Sequence, residues 1–180
     1  MAETTIALYS HDSVGLGEDG GPDYLHTPPG PGWLDRPGGL LELPATSGLI
    51  GALGHRGPGL FPLISSPAAE RFKLPGIFSR ARLLERVRLT PEGHTLAEMI
   101  RLVHDLRRRG VHTFSLTLHS PSVKPGCTPY VRDRADLDGF LECVEGFLAF
   151  FKQELQGIFM SPFEFRSKAM QDAAGAGTAP

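Results

Sequence analysis

From Thr113 to Leu118 the chain alternates strictly. Thr113, Ser115 and Thr117 are small and polar, while Phe114, Leu116 and Leu118 are large and apolar. Period-two alternation separates the two sets onto opposite faces of an extended strand. The sequence therefore predicts a buried strand that carries His119, on the polar face, to its own C-terminal end. Ser120-Pro121-Ser122 then breaks the strand into a loop. Residue types on both sides of this strand predict helices. Thr95 with Glu98 three positions on makes a capping box ahead of Leu96, Met99, Ile100, Val103 and Leu106, and Gly110 stands where a left-handed C-terminal residue belongs. Asp133 is a good N-cap, with Asp136 in the first turn, and Leu137, Phe140, Val144, Phe147, Phe151 and Leu155 form one apolar stripe behind it. Gly139 and Gly146, seven positions apart in that stripe, each cost roughly 1 kcal/mol of helix propensity relative to alanine, and sequence alone assigns them no compensating contact.

The first half is less regular. Residues 5–9 suit a short strand, residues 15–39 are rich in glycine and proline with Trp33 among them, and residues 39–44 suit a second strand ending at Pro44. Residues 51–75 are broken by proline and glycine, with one short helix expected around 68–72 and a further helix over 76–86. Ile158-Phe159-Met160 suits a last short strand, and Ser161-Pro162 opens a final helix with serine as cap and proline in the first turn. Alternating strands and helices imply a parallel sheet covered by helices. A single domain over residues 1–168 with a disordered tail over 169–180 is expected.

Composition narrows the function classes. In 180 residues, 41% hydrophobic and 21% charged content fits a globular domain, and a formal net charge of −2 gives no electrostatic case for nucleic acid or an anionic membrane. Two cysteines, Cys127 and Cys143, support neither a disulfide framework nor a cysteine-zinc site. No apolar run is long enough for a membrane span and residues 1–5 lack the parts of a signal peptide, so a cytoplasmic location is expected.

His119 is the leading candidate for chemistry, because in α/β barrels side chains at the C-terminal ends of strands converge on the active site. The plain alternative is a histidine that caps a strand or bonds a loop carbonyl. Other constellations are weaker. Ser120 and Ser122 lack a G-x-S-x-G context, Gly15-Leu16-Gly17 lacks a third glycine, and Cys127 lacks a basic environment. His11 and Asp12 are adjacent, so on a strand only one could face His119. His26 and His55 sit in glycine-rich loops, His94 belongs with the helix cap, and His104 and His112 suit solvent-facing positions.

Several segments taken together point to a family. Leu89-Thr90-Pro91-Glu92-Gly93, the helix start Leu96-Ala97-Glu98-Met99, His119-Ser120-Pro121-Ser122, Pro125-Gly126-Cys127-Thr128-Pro129-Tyr130-Val131 and Asp136-Leu137-Asp138 follow one another in order. Upstream lie Asp12-Ser13-Val14, Gly20-Gly21-Pro22-Asp23 and Gly39-Leu40-Leu41-Glu42-Leu43-Pro44. This succession, over residues 10–162, resembles the C-terminal half of polysaccharide deacetylase-like proteins of the NodB-homology group, in the WalW-like subset. The resemblance implies a partial (β/α) barrel, incomplete at its N-terminal side, and hydrolysis of N-acetyl groups on a carbohydrate polymer. It makes His119 the general acid that protonates the leaving amine, with Leu116 and Leu118 lining the pocket for the acetyl methyl. It also implies a divalent metal, zinc or similar, whose aspartate and histidine ligands would precede the position of Asp12; no ligand set for it is recognised in this chain. The chain is accordingly expected to be a truncated or split member, inactive alone, completed by a partner segment or by self-association. The alternative is a non-catalytic carbohydrate-binding or structural remnant.

Overall fold

A computed structural model of the chain describes residues 2–3 and 30–176, with side chains from 30 to 173. The expected strand over 5–9 and the residues His11, Asp12 and His26 lie outside that set. In chain order the strands are β1 (Ala2–Glu3), β2 (Gly32–Trp33), β3 (Leu41–Glu42), β4 (Ser47–Ile50) and β5 (Glu85–Arg88). The helices are α1 (Gly57–Ile64), α2 (Pro67–Arg71), α3 (Leu74–Arg80), α4 (Leu96–Arg108), α5 (Arg134–Gln153) and α6 (Pro162–Ala176).

The centre is the antiparallel ribbon β4–β5, in register from Ser47 opposite Arg88 to Ile50 opposite Glu85. Alternation divides it cleanly. Gly48, Ile50 and Val87 face α4, whose Met99, Leu102, Val103 and Leu106 are fully buried against them, and Phe147 and Phe150 of α5 close that core from behind. Gly48 matters here, because a Cβ on it would lie 3.0 Å from Leu102 Cδ1. Leu49 faces the other way and packs with Leu84, Phe61 and Ile64, a second core built on α1. The excursion from Gly51 to Leu84 holds α1, α2 and α3 and returns the chain to the end of β4 that it left, which makes β5 antiparallel to β4. Gly51 allows the exit: its φ is +112°, and a Cβ would strike the carbonyl oxygens of Arg82 and Leu83 at 2.7 and 2.8 Å.

Several expectations are corrected by this arrangement. The alternation of elements implied a parallel sheet, whereas β4–β5 and β2–β3 are antiparallel and only β1–β3 is parallel. No barrel closes among the described residues. The helix expected over 76–86 ends at Arg80, because Arg82 adopts a left-handed conformation (φ +53°) that turns the chain into β5. Residues 51–75 hold two helices rather than one: α1 keeps its helical course with one proline at its start and Pro62 inside. Ile158, Phe159 and Met160 form no strand and are substantially exposed. The helix α6 continues to Ala176, so residues 169–176 are helical rather than a disordered tail; Ala, Met and Gln there are good helix formers.

The capping chemistry matches the sequence closely. Glu98 N–H donates to Thr95 Oγ1 at 3.3 Å and Thr95 N–H to Glu98 Oε2 at 2.7 Å. At the other end of α4, Gly110 (φ +86°) donates to Arg107 O and Val111 to Leu106 O, a Schellman arrangement with Val111 packed on the core. Asp133 caps α5 by accepting from Asp136 N–H at 2.9 Å, and Ser161 accepts from Glu164 N–H at 3.3 Å. The segment 111–119 is extended but is not a sheet strand. It crosses the end of the ribbon, where Ser115 O accepts from Thr46 N–H at 3.4 Å and Leu89 O accepts from Thr117 N–H at 3.1 Å. Crossing both strands, it forms no continuous ladder with either, and it is half-buried rather than buried.

Candidate active site

The crossing segment ends at His119, and the loop after β5 ends at the same place. Leu89, Thr90 and Pro91 are buried as that loop leaves the ribbon, Glu92 N–H is held by Thr90 Oγ1 at 3.2 Å, and Gly93 (φ +79°) turns the chain towards α4. The carboxylate of Glu92 is thereby directed inward, with 5% of its side chain exposed, and three donors converge on it. Oε1 accepts the His119 N–H at 3.0 Å and the Ser122 hydroxyl at 2.5 Å, and Oε2 lies 2.6 Å from His119 Nδ1. Ser122 is fully buried and lies 3.2 Å from the Thr128 hydroxyl. Its own proton is committed to the carboxylate, so Thr128 acts as the donor in that second contact.

Burial alone would raise the Glu92 pKa, but the bonds from Ser122 and His119 outweigh it and hold the carboxyl below the ordinary value of 4.5. An ionised Glu92 is an acceptor only, so His119 Nδ1 carries a proton and donates it. This leaves Nε2 as the ring nitrogen not engaged by the carboxylate. The His119 side chain is 78% exposed and borders a cleft of about 850 Å³. A buried carboxylate that orients an exposed imidazole is the geometry of a general acid or base whose tautomer has been fixed.

The same network settles the part played by the serines. Ser122 bonds the carboxylate rather than the imidazole and is inaccessible, so it supports Glu92 and is no nucleophile. Leu118 borders the cleft beside His119, whereas Leu116 packs on the α4 core and lines a separate apolar groove with Phe114, Phe151 and Phe159. The two leucines expected in one acetyl pocket thus stand on different surfaces. Among the other histidines, His94 also borders the cleft: its Nε2 accepts the Arg88 N–H at 3.3 Å, and its burial lowers its pKa. His55, His104 and His112 are exposed, with His104 edge-on to Phe150.

Glu92 and Ser122 are the residues that sequence reasoning left without a role. Both belonged to recognised segments, but Glu92 precedes α4 and Ser122 follows the 113–118 segment, so no local signal paired them with His119. Arg86 and Arg88 also border the cleft. Among the described residues no three His, Cys, Asp or Glu side chains converge on a point that could hold a metal ion. No described helix is long and apolar enough to cross a membrane. Comparison with known proteins finds no matching family model, no similar curated protein and no matching solved structure.

Proposed function

We propose that the chain is a hydrolase component acting on N-acetyl groups of a carbohydrate, with His119 as its proton-transfer group. The observation that carries this reading is the 2.6 Å contact between His119 Nδ1 and the buried Glu92 carboxylate at the edge of an open cleft. Such a pair keeps Nε2 facing the cleft in one protonation geometry. Nε2, when protonated, can hand its proton to the departing amine nitrogen as the C–N bond breaks, and Glu92 stabilises the imidazolium before transfer. Leu118 supplies an apolar surface beside that nitrogen for the acetyl methyl.

The resemblance of the sequence to NodB-homology deacetylases supports the substrate class. Activation of the attacking water is assigned to no described residue, and no step here passes through a metal. We assign that part to a partner segment or a second copy of the chain; the exposed Ile158, Phe159 and Phe163 offer it an apolar surface. The test is amine release from N-acetylglucosamine oligomers, run with and without added zinc, for the chain and for His119→Ala. Release that is abolished by the substitution supports the reading. Unchanged binding of oligomers with no release by either protein would instead make the cleft a carbohydrate-binding site without catalysis.

A further inference from the structure

Besides the His119 cleft, the crossing segment borders a separate groove of about 720 Å³, within the size range of small-molecule sites. The groove reaches the core itself at the buried Leu43, Leu89 and Phe147. Its wall is aromatic: the Phe151 ring centroid lies 6.4 Å from those of Phe114 and Phe147 and 5.3 Å from that of Phe159. Gly157 makes this wall possible. A Cβ there would run into the Phe151 ring, so glycine lets the chain after α5 lie directly over it, with Gly157 N–H donating to Phe151 O at 2.9 Å. The next three residues, Ile158, Phe159 and Met160, then line the groove although all three remain exposed. Contiguous exposed apolar surface of this kind marks a place where something binds.

The charges around the groove have one sign. Arg107 and Lys168 border it and, among the described residues, no aspartate or glutamate does. Both side chains are exposed, and neither makes an ion pair or hydrogen bond with any described residue. Neighbouring cations are committed: Arg108 and Arg109 to Asp105, and Arg166 to the Gly38 and Gly39 carbonyls. Arg107 stands in the last turn of α4, where the helix dipole alone favours a cation. Lys168 lies in the middle of α6 and has no such reason. Glu164, one turn before it, gives its carboxylate to the Ser161 cap instead, and Asp172, one turn after, forms no ion pair with it.

We propose that the groove binds a free long-chain carboxylate, with its tail along the Phe114, Phe151 and Phe159 rings and its head drawn by Lys168 and Arg107. The tail gains from apolar burial and the head from cations beside a low-dielectric wall, with no carboxylate among the described lining residues to repel it. A cationic amphiphile with the same tail has the first contribution and loses the second. Such a site is independent of proton transfer at His119, and Phe163, which does not border the groove, stays available to a partner.

The test is calorimetric titration of the full chain at pH 8 and low salt with decanoate, dodecanoate and decyltrimethylammonium, each below its micelle concentration. One decanoate should bind per chain, about tenfold or more tighter than decyltrimethylammonium. Dodecanoate should bind tighter still, by up to about fourfold for each added methylene that is buried. Lys168→Gln combined with Arg107→Gln should abolish the preference for the anion, whereas Phe159→Ala should weaken both amphiphiles about fivefold and keep it. All three residues are exposed, so the variants should melt as the parent does. Equal affinity for decyltrimethylammonium, an unchanged preference in the double variant, or no saturable binding would overturn the site. Self-association that Phe159→Ala abolishes, with no decanoate binding, would overturn it as well and make the groove an interface between copies. Binding to phosphatidylglycerol vesicles without binding of free decanoate would overturn it in favour of a membrane contact.

Discussion

Replacing Ser122 with alanine removes one oxygen atom from the best-buried polar contact of the site. That hydroxyl is wholly inaccessible and donates to Glu92 Oε1 at 2.5 Å. A hydrogen bond to an ionised group contributes about 1.5–3 kcal/mol net, more than a neutral one. The Thr128 hydroxyl at 3.2 Å loses its acceptor in the same step, while the space vacated is too small to add a large cavity term. A loss of about 2 kcal/mol at pH 7 is expected, which urea denaturation reads as a midpoint lowered by about 1 M for an m-value near 2 kcal/mol/M. The pH dependence gives the second check. The folded Glu92 pKa is depressed, so its contribution is complete above the unfolded value near 4.5 and disappears as pH falls through the folded value. The gap between the two proteins should therefore narrow on acidification below pH 4.5. A gap under about 0.5 kcal/mol at pH 7, or one that stays constant down to the acid limit of folding, would refute the charge-assisted bond.

Other outcomes follow from the same coordinates. Glu92→Gln places an amide where three donors meet, and its NH₂ turned towards His119 would make Nδ1 an acceptor; nitrogen NMR should then show the Nε2-protonated tautomer, and retention of the Nδ1-protonated form would count against the network. Leu102→Ala empties the centre of the α4 core and should cost about 3–4 kcal/mol in the same urea assay. In α5, Gly139 faces open space and Gly139→Ala should stabilise by about 0.5–1 kcal/mol, whereas a Cβ on Gly146 would lie 2.6 Å from Leu96 Cδ2; Gly146→Ala should fall below it in stability, and equal values would contradict the packing. Burial raises the Cys143 thiol pKa while Cys127 is exposed, so iodoacetamide at pH 8 should label Cys127 first, as peptide mass spectrometry would show.

The parts of the fold legible in the sequence were those whose signals are local. The cap of α4, its Schellman end, the Asp133 cap of α5 and the Ser161 cap of α6 each depend on residues within a few positions of one another. β4 and β5 carry no such signal: Ser-Gly-Leu-Ile and Glu-Arg-Val-Arg are short, and they become strands because each supplies the other's backbone partners across a long excursion. Two prolines, Pro58 and Pro62, and two glycines, Gly57 and Gly59, hid α1, whose helix is held by burying Phe61 and Ile64 on Leu49. The alternation at 113–118 predicted a buried strand, whereas the segment joins no sheet and is half-buried, because its backbone bonds go to Thr46 and Leu89 in turn, a tertiary arrangement that no local pattern encodes. His119 was visible for the same reason that Glu92 was not: one ends a pattern, and the other acquires its role only when two distant loops meet.

The crossing segment is fastened at two points of different kinds. At Val111 it is tied to α4 by backbone bonds and apolar packing, and at His119 by the Glu92 carboxylate, with the bonds at residues 115 and 117 between them. The first fastening is indifferent to protons and the second is not. When acid neutralises Glu92, the segment loses its fastening at the end that bears the His119 imidazole, while the core beneath it stays packed. Its amides should then exchange with solvent well before those of α4, so that the site would lose its geometry in a pH range where the domain as a whole is still folded.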